Sequence, residues 1–273
     1  MNQEEIERRI QEGRNSLKPL IEEETDYQSD QDLKKPQPPL VKEAMTSNII
    51  ALPTDFDHLT IDNDFLHVIN TRQSHRVYTQ QKMPLLELSY LLWCTQGVKE
   101  IRGKSYATLR TVPCGGARHE FECYMVIQNV DGLKDGYYHY LPMHHQIEML
   151  KEDSDLHDFI SVSLQKQDWA CKANVVFYYS FVCYRAEWRY GIYAHRMVMC
   201  DAGHITENLY LACTSIGLGG CAIGAVNGKV SDEAFGLDGE EEFIMYAMPV
   251  GTVSKKDAQQ EKDFYAFVNE QGL

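Results

Sequence analysis

Residues 109–120 read LRTVPCGGARHE. A proline, a Gly-Gly pair, two arginines and a histidine stand between two apolar segments. Gly115 and Gly116 carry no side chain, so the backbone here can press against a flat ligand. Arg110, Arg118 and His119 are placed to handle negative charge. About a hundred residues on, GLGGCAIGAVN runs from Gly217 to Asn227. Two glycine-rich turns, each at the edge of an apolar element, point to a planar anionic ligand. The second turn fails the dinucleotide pattern. Its glycines fall at 217, 219, 220 and 224, and the helix precedes them instead of following.

Outward from these turns, the chain reads as alternating elements without a regular βαβ repeat. Phe65 to Asn70 predicts a helix, and Met83-Pro84 opens another that Gly97 ends. Phe121–Val130 and Gly136–Leu141 predict strands, and the apolar run Val175–Val182 predicts a fully buried one. A long helix is expected from His195 to Ile216, apolar enough to be buried nearly all round. Ser231 to Glu233 are expected to cap a short helix at Ala234 and Phe235. Phe243–Val250 is the last strong strand. Helices and strands mixed in this way indicate an α+β class.

Composition sets limits. Of 273 residues, 44% are apolar and 24% charged, enough for a sizeable core. The net charge of −14 argues against nucleic-acid binding, which needs a basic face. No apolar run of about 18 residues predicts a membrane span. The start, MNQEEIERRI, does not read as a secretory signal. Eight cysteines include no CxxC pair, the pattern of reduced thiols; neither a metal site nor a disulfide frame is expected, and the location expected is cytoplasmic. Residues 1–60 read as a separate arm, with a short helix over Glu4–Glu12 and the extended LKKPQPPL at 33–40. The compact domain is expected over 61–273.

Among the candidate sites, Arg72, Ser74 and Arg76 in RQSHR offer two guanidinium forks and a hydroxyl, a phosphate-clamp chemistry. His144-His145 fits a hairpin turn, and His204 a satisfied histidine. The aromatic cluster from Phe177 to Tyr193 fits either a pocket lining or core.

In this order, RQSHRVY (72–78), LLWCTQGV (91–98), RTVPCGGARHEFE (110–122), GYYHY (136–140), RYGIYAHR (189–196), the stretch from Asp201 to Val226 and MPVG (248–251) resemble the FMN-dependent nitroreductase superfamily. Within it they look most like the SagB/ThcOx-type dehydrogenases. The resemblance implies a mixed, mostly antiparallel sheet flanked by helices, in a homodimer with two FMN sites at the subunit interface. It implies that Arg72, Gln73 and Ser74 hold the flavin phosphate and ribityl chain. Arg76 would lie near the N1/O2 edge, where a cation stabilises reduced flavin. Pro113, Cys114, Gly115 and Gly116 match a loop laid against the ring from the partner subunit. Ile223 and Gly224 match backbone facing flavin N5, and Lys255 and Lys256 a basic pair completing the phosphate site. Tyr190 and Tyr193 are candidate acids beside Arg189. NAD(P)H is a candidate electron donor, and the substrate is a small organic molecule or a peptide. Cys114 stands where the family usually has Ser, and Gln73 where it has a basic residue. Arg189-Tyr190 replaces the Lys-Tyr pair of azoline oxidases, and Arg is a poor general base. Azoline dehydrogenation and flavin binding without efficient turnover are the alternative readings.

Overall fold

The computed structural model describes residues 1–18, 27–79, 81–264, 266, 270 and 271. Its strands are β1 (Ile49–Ala51), β2 (Val98–Arg102), β3 (Ala107–Arg110), β4 (Phe121–Ile127), β5 (Gly136–Leu141), β6 (Gln146–Glu152), β7 (Val175–Val182), β8 (Leu218–Gly220) and β9 (Glu242–Thr252). The helices are α1 (Gln3–Ser16), α2 (Phe65–Thr71), α3 (Leu85–Gln96), α4 (His157–Ser163), α5 (Cys183–Tyr190), α6 (Ala194–Ser215), α7 (Gly228–Phe235) and α8 (Ala258–Asp263). Seven strands form one sheet in the order β1-β6-β5-β4-β7-β9-β8, each neighbouring pair antiparallel. The α+β class and the helix-flanked, mostly antiparallel sheet are as expected.

The apolar run VVFYYSFV becomes β7, near the middle of the sheet. A strand alternates its side chains between two faces, so a run with no polar partner to spare needs cover on both. Phe177, Tyr179 and Phe181 enter a core with Leu88, Leu91 and Leu92 of α3 and Ile205 and Leu209 of α6. Val176 and Tyr178 enter a second core with Ile160 of α4 and Phe235 of α7. Each buried aromatic is worth roughly 1.5–3 kcal/mol of transfer free energy, and this two-sided burial fixes the register.

Two expectations are corrected. Helix α6 is not buried all round, because Met199 is 58% exposed and Met197 and Leu211 are half-buried. Helix α7 starts at Gly228, three residues before Ser231, because the Asn227 side chain caps the Val230 amide; Ser231 is buried inside the helix. Strands β2 and β3 form a hairpin turning at Gly103, an addition to the strands the sequence predicts.

Residues 27–51 run along the domain of the same chain. The Gln31 amide donates to Trp188 O at 2.8 Å, and Trp188 Nε1 donates to Lys35 O at 3.1 Å. Amides of Lys42 and Thr46 donate to the buried carboxylates of Glu122 and Glu148. β1 then pairs with β6 as the outermost strand. Between those carboxylates lies His139, 2.9 Å from Glu148 and 3.3 Å from Glu122, with Arg185 2.5 Å from Glu122. Burial works against a charge on His139, but the two carboxylates outweigh it and raise its pKa.

Candidate functional site

The predicted site residues fall into two groups, both anchored on α6. The first surrounds Tyr210. Asp64 caps α2 by accepting the His67 amide, and the helix ends at Arg72. The chain then straightens and meets β8, where Ser74 bridges Gly220 and the His75 amide donates to Gly220 O at 2.9 Å. This approach needs glycine, since a Cβ on Gly219 would come 2.6 Å from the His75 ring and Val253. The Arg72 guanidinium lies over the Tyr210 ring at 5.2 Å. The Tyr210 hydroxyl accepts the Ala222 amide at 2.8 Å and hydrogen-bonds the Ser74 hydroxyl at 3.1 Å. One phenol therefore ties RQS to the turn before Ile223 and Gly224. Ile223 exchanges both backbone hydrogen bonds with Ala247 of β9, which holds that turn flat against the sheet.

Gln73 contacts His75 at 3.3 Å. The Arg76 guanidinium lies over Trp169 and Phe264 at 5.7 and 5.4 Å, and its charge favours the Cys221 thiolate against the burial that raises that pKa. Glu261 of α8 accepts the amides of Arg76 and Val77. Lys255 and Lys256 are exposed in a turn just after β9, which pairs with β8.

The second group surrounds the PCGG loop. The Gly115 amide donates to Asp201 Oδ2 of α6 at 2.9 Å. Gly116 has φ +56°, and a Cβ there would lie 2.3 Å from Arg189 Nε and 2.7 Å from the Tyr190 hydroxyl. Arg189 and Tyr190 thus lie against this loop, whose Pro113 is exposed. Burial disfavours the Arg189 cation, but hydrogen bonds to Tyr190 and Tyr106 outweigh it and raise its pKa. Tyr193 instead meets Tyr27 edge-on at 5.8 Å. The Cys114 thiol donates to Glu120 Oε2 at 3.0 Å, and burial pushes its pKa well up.

Arg110, Arg118 and His119 do not serve as expected. Arg110 is buried and donates to Gln96, Thr108 and Leu40 O. Arg118 stacks on Tyr106 and Trp188. His119 is buried, its pKa lowered to about 2 by desolvation and by Arg110. All three brace the loop and the arm from behind. His145 is likewise structural, bonded to Ser89 and Tyr140 in the β5–β6 turn. Tyr210, Asp201 and Glu120 escaped the sequence reading. The spacing of Asp201 and Tyr210 on one predicted helix was the available signal for the first two.

The profile of the nitroreductase family matches residues 69–252. The chain belongs to the nitroreductase family. A nitroreductase-family protein of Methanocaldococcus jannaschii, MJ1384, is 31% identical over 202 residues, 74% of this chain and 95% of that one. The trifolitoxin-processing protein TfxB of Rhizobium leguminosarum bv. trifolii is 28% identical over 193 residues, 63% of this chain; the match spans half of TfxB. A solved structure of a nitroreductase-family protein from Ralstonia eutropha superposes with a TM-score of 0.63 at 25% identity, over 81% of this chain and 95% of that one. The nitroreductase segment runs from the last turn of α2 to the end of β9, so it contains both anchored groups. Lys255 and Lys256 fall just beyond it, and residues 27–51 precede it. Among the described residues no helix is long and apolar enough to cross a membrane.

Proposed function

We propose that this nitroreductase-family chain is an FMN-dependent oxidoreductase acting on a small organic substrate. The supporting observation is the convergence of Arg72, Ser74 and the 220–224 backbone on Tyr210. The donors fit the group. Ser74 lies along the outer edge of β8, Arg72 lies beside it over Tyr210, and Lys255 and Lys256 follow from β9 on the other side of β8, a donor set suited to a phosphate. Gly224 leaves room beside the turn, since an added Cβ would meet only Tyr246, at 3.5 Å. When bound there, FMN would supply hydride or electron transfer at N5. Ile223 and Gly224 would present backbone to that edge, and Arg76 a cation to the pyrimidine side. Gln73 would line the ribityl side.

On this reading Pro113, Cys114, Gly115 and Gly116 close the ring face of a second copy's site in a homodimer. Arg189 remains cationic and orients an anionic group, while Tyr190 or Tyr193 donates a proton. NAD(P)H is the proposed electron donor, the cytoplasm the proposed location, and residues 1–60 form an arm on a 61–273 domain. The test is the visible spectrum of untreated protein. Flavin bands with FMN released on heating support the reading; a colourless protein that takes up no added FMN refutes it.

The similarity to TfxB favours a second reading, a SagB-type azoline dehydrogenase of a peptide-modifying complex. Arg189 in place of a lysine base weighs against it. Oxidation of an azoline peptide by the purified chain with FMN decides between the two.

A further inference from the structure

Two carboxylates, Glu120 and Asp201, meet behind the PCGG loop, and both are buried, at 1% and 2% exposure. Cys114 Sγ and one oxygen of each lie within 4.8 Å of one another. The Cys114 thiol donates to Glu120 Oε2, and the Gly115 amide to Asp201 Oδ2. Glu120 Oε1 is buried and has no donor among the described residues. The neighbouring cations are committed elsewhere. Arg110 is spent on Gln96 and Leu40 O, Arg185 on Glu122 and His119 O, and Arg118 on Gly116 O and Tyr106 O. Arg189 is turned to Gln31 and Tyr106, and buried His119 is neutral. On the solvent side His204, half-exposed, sits 3.2 Å from Asp201 Oδ1.

Two buried carboxylates within 4.8 Å of each other, with half-exposed His204 at the solvent side of Asp201, repel when both are charged, and a proton between them removes the repulsion. We propose that Glu120 holds a proton shared with Asp201 and, through it, positions the Gly115 backbone. The chain of groups runs Cys114, Glu120, Asp201, His204, so the proton exchanges with water by way of His204. As a neutral acid Glu120 donates to Asp201 and accepts from Cys114. Asp201 keeps its charge and its second oxygen for the Gly115 amide. Loss of the proton to solvent puts two negative charges together and pushes the loop off α6. Burial and the Asp201 charge both push the Glu120 pKa up, to about 7. Folding therefore takes up a proton here, and the stabilisation is lost as pH rises through that value. Glu120 is a positioning residue, and its importance for flavin binding rests on the reading proposed above.

The experiment is infrared spectroscopy of the full chain across pH 5 to 9, with thermal melts on the same samples. A carboxylic-acid carbonyl band is expected at low pH, fading with a midpoint near neutrality and absent from Glu120→Gln. Glutamine donates permanently to Asp201, so this variant should melt like the parent at low pH and lose the parent's decline between about pH 4.5 and 7. Asp201→Asn removes the like charge, so the band's midpoint should fall by about one pH unit or more; this holds the proposal to account even if Glu120→Gln does not fold. A band unchanged in Glu120→Gln, a parental pH slope in that variant, or an unmoved midpoint in Asp201→Asn would overturn it. So would a stoichiometric metal ion in the purified protein in place of the band. Failure to bind FMN sinks the flavin reading alone, because neither readout involves flavin.

Discussion

Arg189 Nη1 donates to Gln31 Oε1 at 3.0 Å, across 158 residues of chain. The contact joins the arm to the side chain lying against Gly116. Gln31→Ala should weaken the arm's hold by about 1 kcal/mol. Hydrogen exchange should show faster exchange of the Gln31 and Leu33 amides, with β7 unchanged. Unchanged protection over the arm would show that Trp188 and Lys35 hold it alone.

Glu122, His139 and Glu148 form a buried ionic sandwich, and removing its centre leaves, among the described residues, Glu148 without a charged partner and Glu122 with Arg185 alone. His139→Leu should cost about 3–5 kcal/mol, read from denaturant melts at neutral pH. The pH sign follows from opposite shifts. The His139 pKa is raised, so its stabilisation is complete below 6.5 and fades as pH climbs through the higher folded value. Burial opposes charge on Glu122 and Glu148, but Arg185 and His139 for the first, and His139 with the arm amides for the second, hold both pKa values down. Their stabilisation is complete above 4.5 and lost toward acid. The sandwich's own contribution should therefore be flat between about pH 4.5 and 6.5, where Glu120 supplies the decline, and His139→Leu should erase the further fall above 6.5.

Gly116→Ala places a Cβ at positive φ against Arg189 and Tyr190. A loss of about 1–3 kcal/mol is expected, with the Arg189 side chain displaced. Gly132→Ala, at φ +77° with open space around it, is the control: it bears backbone strain without the collision. Equal losses in the two would show that the contact with Arg189 and Tyr190 adds nothing.

Arg72→Ala removes a guanidinium from the proposed phosphate corner while the Tyr210–Ala222 hydrogen bond stays. FMN affinity should fall about tenfold to a hundredfold, read by flavin fluorescence quenching, with little change in melting temperature. Unchanged affinity would place the phosphate elsewhere.

The sheet was legible where one signal dominated. VVFYYSFV could only be a two-sided strand, and α6 was long enough to declare itself. β6, QIEMLKE, carries a weak alternation that its charged end hides, and the β2–β3 hairpin is polar on both faces. At the site, RQS and GLGGCAIG were legible as motifs but not as neighbours, because their meeting depends on a phenol nine residues along α6 from Asp201. The roles first given to Arg110, Arg118 and His119 came from their closeness in sequence to the glycines. Arg110 turns inward from β3, and the non-extended backbone at Arg118 and His119, with φ +49° at His119, buries that consecutive pair as well, a fact that appears only once β3 and β4 are placed.

Helix α6 also acts as a ruler. Gly115 leans on it at Asp201 and Ser74 at Tyr210. Nine residues of helix set these two footholds about 13 Å apart along its axis and fix the angle between them. Substitutions between the footholds leave this spacing unchanged. A single inserted residue would swing one foothold about 100° relative to the other, so the length of this stretch is constrained more tightly than its composition.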